Sequence, residues 1–96
     1  MFIIELTYQK PLAEVDQQLA AHNAYLDRNY AAGNFLLSGR KEPRDGGIIL
    51  AAVPSRAELE AIYHQDPFYQ HQIAQYRIVE FHPSKAAPSL QALINA

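Results

Sequence analysis

The period of the hydrophobic residues switches repeatedly along this chain, and the order of the switches restricts the fold more than any other feature. Phe2, Ile4, Leu6 and Tyr8 alternate with Ile3, Glu5 and Thr7, the two-residue period of a strand. Beyond Lys10-Pro11 the period lengthens. Leu12, Val15, Leu19, His22, Leu26 and Tyr30 follow at steps of 3, 4, 3, 4 and 4, which lines them along one helix face. Pro11 suits the first turn of that helix, Glu14, Gln18 and Asn29 fall on its polar face, and Gly33-Asn34 ends it. "FLLSG" (35–39) and "IILAAV" (48–53) are extended again, and the turn formers of "RKEPRDGG" between them predict an antiparallel hairpin with Gly46-Gly47 in its connection. Ser55 and Glu58 form a capping box that predicts a second helix from about Arg56 to His64, burying Leu59, Ile62 and Tyr63. "QYRIVEFH" (75–82) is a last strand, closed by His82-Pro83. The tail predicts a short amphipathic helix, about 88–95, through Leu90, Leu93 and Ile94.

The resulting order, βαββαβ, is the split βαβ or ferredoxin-like pattern, an α+β fold with a four-stranded antiparallel sheet. The 96 residues have room for one domain, 1–96, with its core at about 2–82. Two helices cover one face of such a sheet, so the other must meet water or a second subunit. Apolar residues on both faces of the first strand, together with the "IILAAV" run, predict a homodimer packed sheet to sheet.

Charge and composition exclude several function classes. The formal net charge is −2, and the one basic cluster, Arg40, Lys41 and Arg44, is offset by Glu42 and Asp45. It reads as solvated surface, and no nucleic-acid partner is expected. There are no cysteines, so disulfides and thiolate chemistry are excluded. "MFIIELTYQK" lacks the basic start and apolar length of a signal peptide or a membrane span, which makes the cytoplasm the default location. Gly46-Gly47 does not join a strand to a helix and is no phosphate loop. His64 and His71 flank Asp66 at a spacing that matches no standard ligand pattern, so neither a metal nor a cofactor is expected.

Three places carry candidate chemistry. His22 interrupts an apolar stripe, where its ring nitrogens must still be satisfied. It is either a core histidine bonded to a backbone carbonyl or a general base at the mouth of a pocket. Asp66, followed by Pro67, is a natural N-cap for a turn over Phe68-Tyr69-Gln70. Its carboxylate is also a candidate to orient His22, since the two helices of a split βαβ pack side by side. A carboxylate has two oxygens, so both roles are compatible. Ser38-Gly39 either simply ends a strand, or offers a hydroxyl and a close backbone approach to a ligand.

The ordered set formed by "AAHNAYLDRNYAAGNFLLSG" and "DGGIILAAVPSRAELEAIYHQDPF" resembles the YciI-like (YCII-related) proteins. The matching features are His22, Gly33, Ser38-Gly39, Gly46-Gly47 and Asp66-Pro67-Phe68, spread over roughly residues 2–82. The resemblance implies a dimeric α/β barrel of ferredoxin-like subunits and a cleft in which His22 and Asp66 form a dyad. Ser38, Gly39 and Phe68 are the candidate substrate-binding residues. One branch of that family acts as a dehydrochlorinase in chlorinated-aromatic breakdown. Where the family pattern usually reads Gly-Pro after the second strand, this chain has Gly39-Arg40.

Two function classes follow from these residues. One is a cofactor-independent enzyme of lyase, isomerase or dehydrochlorinase type acting on a small molecule, with His22 moving a proton and Asp66 holding the imidazole. The alternative is a metabolite-binding or regulatory module that uses the same cleft without turnover. A redox or monooxygenase-like role, known in related dimeric barrels, is a weaker third reading.

Overall fold

The structure, a computed structural model, describes residues 1–94. Its elements run β1 (Phe2–Tyr8), α1 (Leu12–Ala31), β2 (Phe35–Arg40), β3 (Gly46–Ala51), α2 (Arg56–Tyr63), α3 (Pro67–Gln70) and β4 (Ala74–Glu80). The sheet order is β2-β3-β1-β4, and all three pairings are antiparallel, as the split βαβ pattern requires. α3 is one turn added to that pattern by the Asp66-Pro67 pair.

The alternation in β1 divides the sheet faces. Phe2, Ile4 and Leu6 are buried and face the helices. Their register partners Ala51 and Ile49 on β3, and Ile78 and Tyr76 on β4, share that face. The opposite face carries a row running across all four strands, Leu37, Leu50, Ile3 and Val79, joined by direct register. Leu37 in that row is 59% exposed.

α1 runs without Pro or Gly until a Schellman closure. Gly33 takes φ +79° and donates its N–H to the Tyr30 carbonyl at 3.1 Å, while Asn34 N donates to the Asn29 carbonyl at 2.9 Å. Its inward line differs from the expected stripe. Val15, His22, Tyr25 and Asn29 are buried, whereas Leu12 and Tyr30 are 46% and 37% exposed. The stripe averages 3.6 residues per step and does not drift: Leu12 and Tyr30, five whole turns apart, share one edge of it, and the buried line lies toward the other edge. Asn29, expected on the polar face, is instead satisfied locally. Its Nδ2 donates to the Tyr25 carbonyl at 3.0 Å, and its Oδ1 accepts from Asn34 Nδ2 at 3.0 Å.

Three boundaries also move. Pro11 occupies the N-cap position of α1 rather than its first turn. Gly46 and Gly47 are the first residues of β3, not part of its connection, since a Cβ on Gly46 would overlap the Leu6 carbonyl of the neighbouring strand. The tail helix is of 3-10 form over Pro88–Leu93. Its Leu93 and Ile94 border a shallow recess with Met1 and Val53, while Leu90 is half exposed; residue 95 of the expected tail helix lies outside the described residues. The Ser55 N-cap of α2 forms as expected, with Glu58 N donating to Ser55 Oγ at 3.2 Å.

Candidate functional site

Asp66 owes its position to the way α2 ends. His64 caps α2, and Asp66 N donates back to the Tyr63 carbonyl at 3.1 Å. The residue before a proline is driven toward extended backbone, and Asp66 adopts φ −67°, ψ 126°. Its side chain therefore caps the first turn of α3: Oδ1 accepts from Phe68 N at 2.9 Å. The same Oδ1 lies 2.8 Å from His22 Nδ1 on α1. The second oxygen, Oδ2, accepts from Tyr76 Oη at 2.5 Å. Capping and histidine orientation thus fall on one oxygen, not on one each.

Asp66 has no exposed surface. A carboxylate desolvated to this extent persists only if donors replace its water, and a backbone N–H, a phenol and an imidazole N–H do so here. The Nδ1–Oδ1 contact places the imidazole proton on Nδ1 and leaves Nε2 as the nitrogen available to a ligand. Phe68 fixes the ring plane, stacking on His22 with centroids 4.0 Å apart and an interplanar angle of 6°. Tyr8 in turn packs edge-on against Phe68 at 5.9 Å.

Two phenols next to the pair are held protonated far above the ordinary tyrosine range. Burial is the main cause for both Tyr25 and Tyr76, and the charge of Asp66 adds to it. For Tyr76 the hydrogen bond to Asp66 raises it further. Tyr25 Oη is buried without a hydrogen-bond partner among the described residues.

His22 borders a cavity of about 300 Å³ between α1 and the β2–β3 side of the sheet. Leu6, Leu19, Leu26 and Phe68 supply apolar wall, while Asn23, Ser38, Gly39 and Arg40 supply polar rim and backbone. Ser38 arrives there by a bulge. Register shifts between Phe35 and Leu37, so Phe35 pairs with Ala51 and Ser38 pairs with Ile49, both on the helix-facing side. Without that extra residue Ser38 would face away from Phe35. The Ser38 hydroxyl is held by the Tyr30 hydroxyl at 2.6 Å.

The structure therefore brings together the residues singled out from the sequence. His22, Ser38, Gly39 and Phe68 line one cavity, and Asp66 sits behind His22. Phe68 does more than line it, since its ring supports the imidazole. His64, His71 and His82 are exposed, and His64 stacks on Tyr69 at 4.4 Å. Tyr76 and Arg40 were not foreseen as site residues. Tyr76 carried a readable signal, because an inward-facing tyrosine on a strand must find a partner for its hydroxyl.

Residues 1–82 match the family described as the YCII-related domain. No curated protein matches this chain. Among solved structures, the chain is similar to 5-chloro-2-hydroxyhydroquinone dehydrochlorinase (TftG) from Burkholderia phenoliruptrix AC1100, in complex with 2,5-dihydroxybenzoquinone. The TM-score is 0.70 at 18% identity, over 84% of this chain and 93% of that one. At that identity the likeness establishes the fold alone.

Proposed function

This chain belongs to the YCII-related family, and from that premise we propose that it is a small-molecule enzyme working by general acid–base chemistry without a cofactor. The observation that carries the reading is the 2.8 Å contact between His22 Nδ1 and a fully buried Asp66, on a histidine that borders a cavity. Nε2 of His22 takes a proton from a substrate hydroxyl, or from a carbon next to a carbonyl. Asp66 stabilises the imidazolium that forms and holds the ring in the tautomer needed to receive that proton. Ser38, Gly39 and the outer edge of Phe68 position the substrate.

The electron pair released by deprotonation has two outlets. In an isomerisation it shifts within the substrate, and the imidazolium returns the proton at another atom. In an elimination it forms a new double bond while a leaving group departs with its own bonding pair, and the proton passes from His22 to solvent. The activity named for TftG, dehydrochlorination of a chlorinated hydroxyhydroquinone, is of the second kind and supports testing hydroxylated rings first.

Incubation with 5-chloro-2-hydroxyhydroquinone and related hydroxylated rings, followed by chloride release and quinone absorbance, tests this reading. His22→Ala is expected to reduce turnover about 10²–10⁴-fold. Equal rates in wild type and variant would remove His22 from the chemistry. Ligands that bind but never turn over would favour a binding module.

We further infer a homodimer formed through the open sheet face. The row Leu37, Leu50, Ile3 and Val79 supports it, because it presents apolar side chains across the whole width of the sheet.

A further inference from the structure

We propose that the cavity takes a small organic carboxylate and that Arg40 selects it by charge. This inference rests on the reading of the cavity as a substrate site and names the class of substrate.

The three cations near the β2–β3 connection have different surroundings. Lys41 Nζ lies 3.5 Å from Glu5 and 3.7 Å from Asp45, and it donates to Thr7 Oγ1 at 3.1 Å. Arg44 pairs with Asp16 at 2.7 Å. Arg40 makes no ion pair and no side-chain hydrogen bond among the described residues, and it lines the cavity that His22 borders. The pattern that reads as a neutralised surface cluster thus leaves one guanidinium over, at the cavity rim.

The cavity lining contains no aspartate or glutamate. Arg40 is its one permanently charged side chain, so the charge a ligand meets at the rim is positive. A guanidinium is a planar fork whose paired N–H groups match the two oxygens of a carboxylate. The volume, about 300 Å³, lies at the small end of ligand sites and suits a body the size of one ring. A phosphate ester fits less well, since its greater charge calls for several cations and Arg40 is the one cation in the lining.

Salicylate and salicylamide, nearly equal in shape and different in charge, test the proposal. Binding is followed by NMR through the His22 ring protons. Salicylate is expected to bind about tenfold more tightly than the amide. Arg40→Gln should bring the ratio near one, Arg40→Lys should keep part of it, and added salt should weaken salicylate alone. A wild-type ratio near one overturns the proposal, as does a ratio that survives Arg40→Gln. No binding of either probe at millimolar concentration overturns it as well. Arg40 is exposed and unpaired, so the thermal midpoint of Arg40→Gln should equal that of wild type.

The two proposals fail separately. A charge preference with no turnover of any bound compound, charged or neutral, would sink the acid–base reading and leave this one standing. His22-dependent turnover of neutral substrates, indifferent to Arg40, would do the reverse.

Discussion

Tyr76 Oη donates to Asp66 Oδ2 at 2.5 Å, the oxygen that His22 does not use. The carboxylate is thereby gripped from β4 as well as from α1 and from its own turn. Tyr76 belongs to an aromatic cluster, stacking on Tyr63 at 5.3 Å and meeting Tyr69 edge-on at 5.5 Å. The orientation of the His22 imidazole therefore depends on packing some distance from the cavity.

Tyr76→Phe keeps the ring and removes the donor. A buried carboxylate oxygen then loses its one side-chain partner among the described residues, and a cost of about 1–3 kcal/mol is expected in urea denaturation. A change below about 0.3 kcal/mol would mean that water replaces the phenol and that Tyr76 does not hold Asp66.

Asp66→Asn removes the charge while keeping the shape. The His22 ring should lose its preference for the Nδ1–H tautomer, read from imidazole nitrogen shifts. Turnover should fall about 10²–10⁴-fold. A ring that keeps its tautomer in the variant would show that Asp66 only caps α3.

Alkaline stability should report the two buried phenols. Tyr25 and Tyr76 keep their protons in the folded state well above the ordinary value of 10, whereas the unfolded chain loses them near pH 10. Above that pH the folded state binds more protons than the unfolded one, so stability is complete below pH 10 and falls as pH rises. The slope expected is about 1.4 kcal/mol per pH unit for each phenol. Phenolate absorbance should show these two of the six tyrosines titrating only with unfolding. Tyr76→Phe should roughly halve the slope, and a flat profile up to pH 12 would contradict the assignment.

Gly46→Ala places a Cβ against the Leu6 carbonyl, where backbone of a central strand cannot yield. Overpacking of this kind costs about 1–3 kcal/mol, and the value here should lie at the upper end. The start of β3 also borders the cavity, so ligand affinity should drop with stability. Wild-type stability in this variant would mean that β1 and β3 separate easily at this end.

Leu37→Glu puts a charge at the most exposed position of the apolar sheet row. Sedimentation should show wild type as a dimer and the variant shifted toward monomer. A monomeric wild type at micromolar concentration would remove the sheet-to-sheet assembly.

The element order was legible because strands and helices impose different periods on apolar residues, and β1 shows its period most clearly. The Asp66 cap was legible for a local reason too, since Asp-Pro restricts its own backbone. His22 stood out because a polar ring on an apolar face needs a partner, although nothing nearby in the chain named one. The inward line of α1 was less legible. A stripe drawn from apolar residues alone chose Leu12 and Tyr30 over Tyr25 and Asn29, because hydrogen bonds at a helix end can bury an asparagine.

By itself, then, the chain's pattern determined the α+β architecture, the strand pairing and the short list of polar residues that could do chemistry. Tertiary structure decided which of them meet. His22 and Asp66 are forty-four residues apart and touch only because α1 and α3 pack together. Ser38 joins the cavity only through a bulge that reverses the facing of β2, and of the three cations near the β2–β3 connection Arg40 alone has no ion pair among the described residues, because Lys41 and Arg44 find carboxylates on β1, the connection and α1. Periodicity is set by neighbours along the backbone. Contact, register and charge pairing are set by residues far away in the chain, which no local pattern encodes.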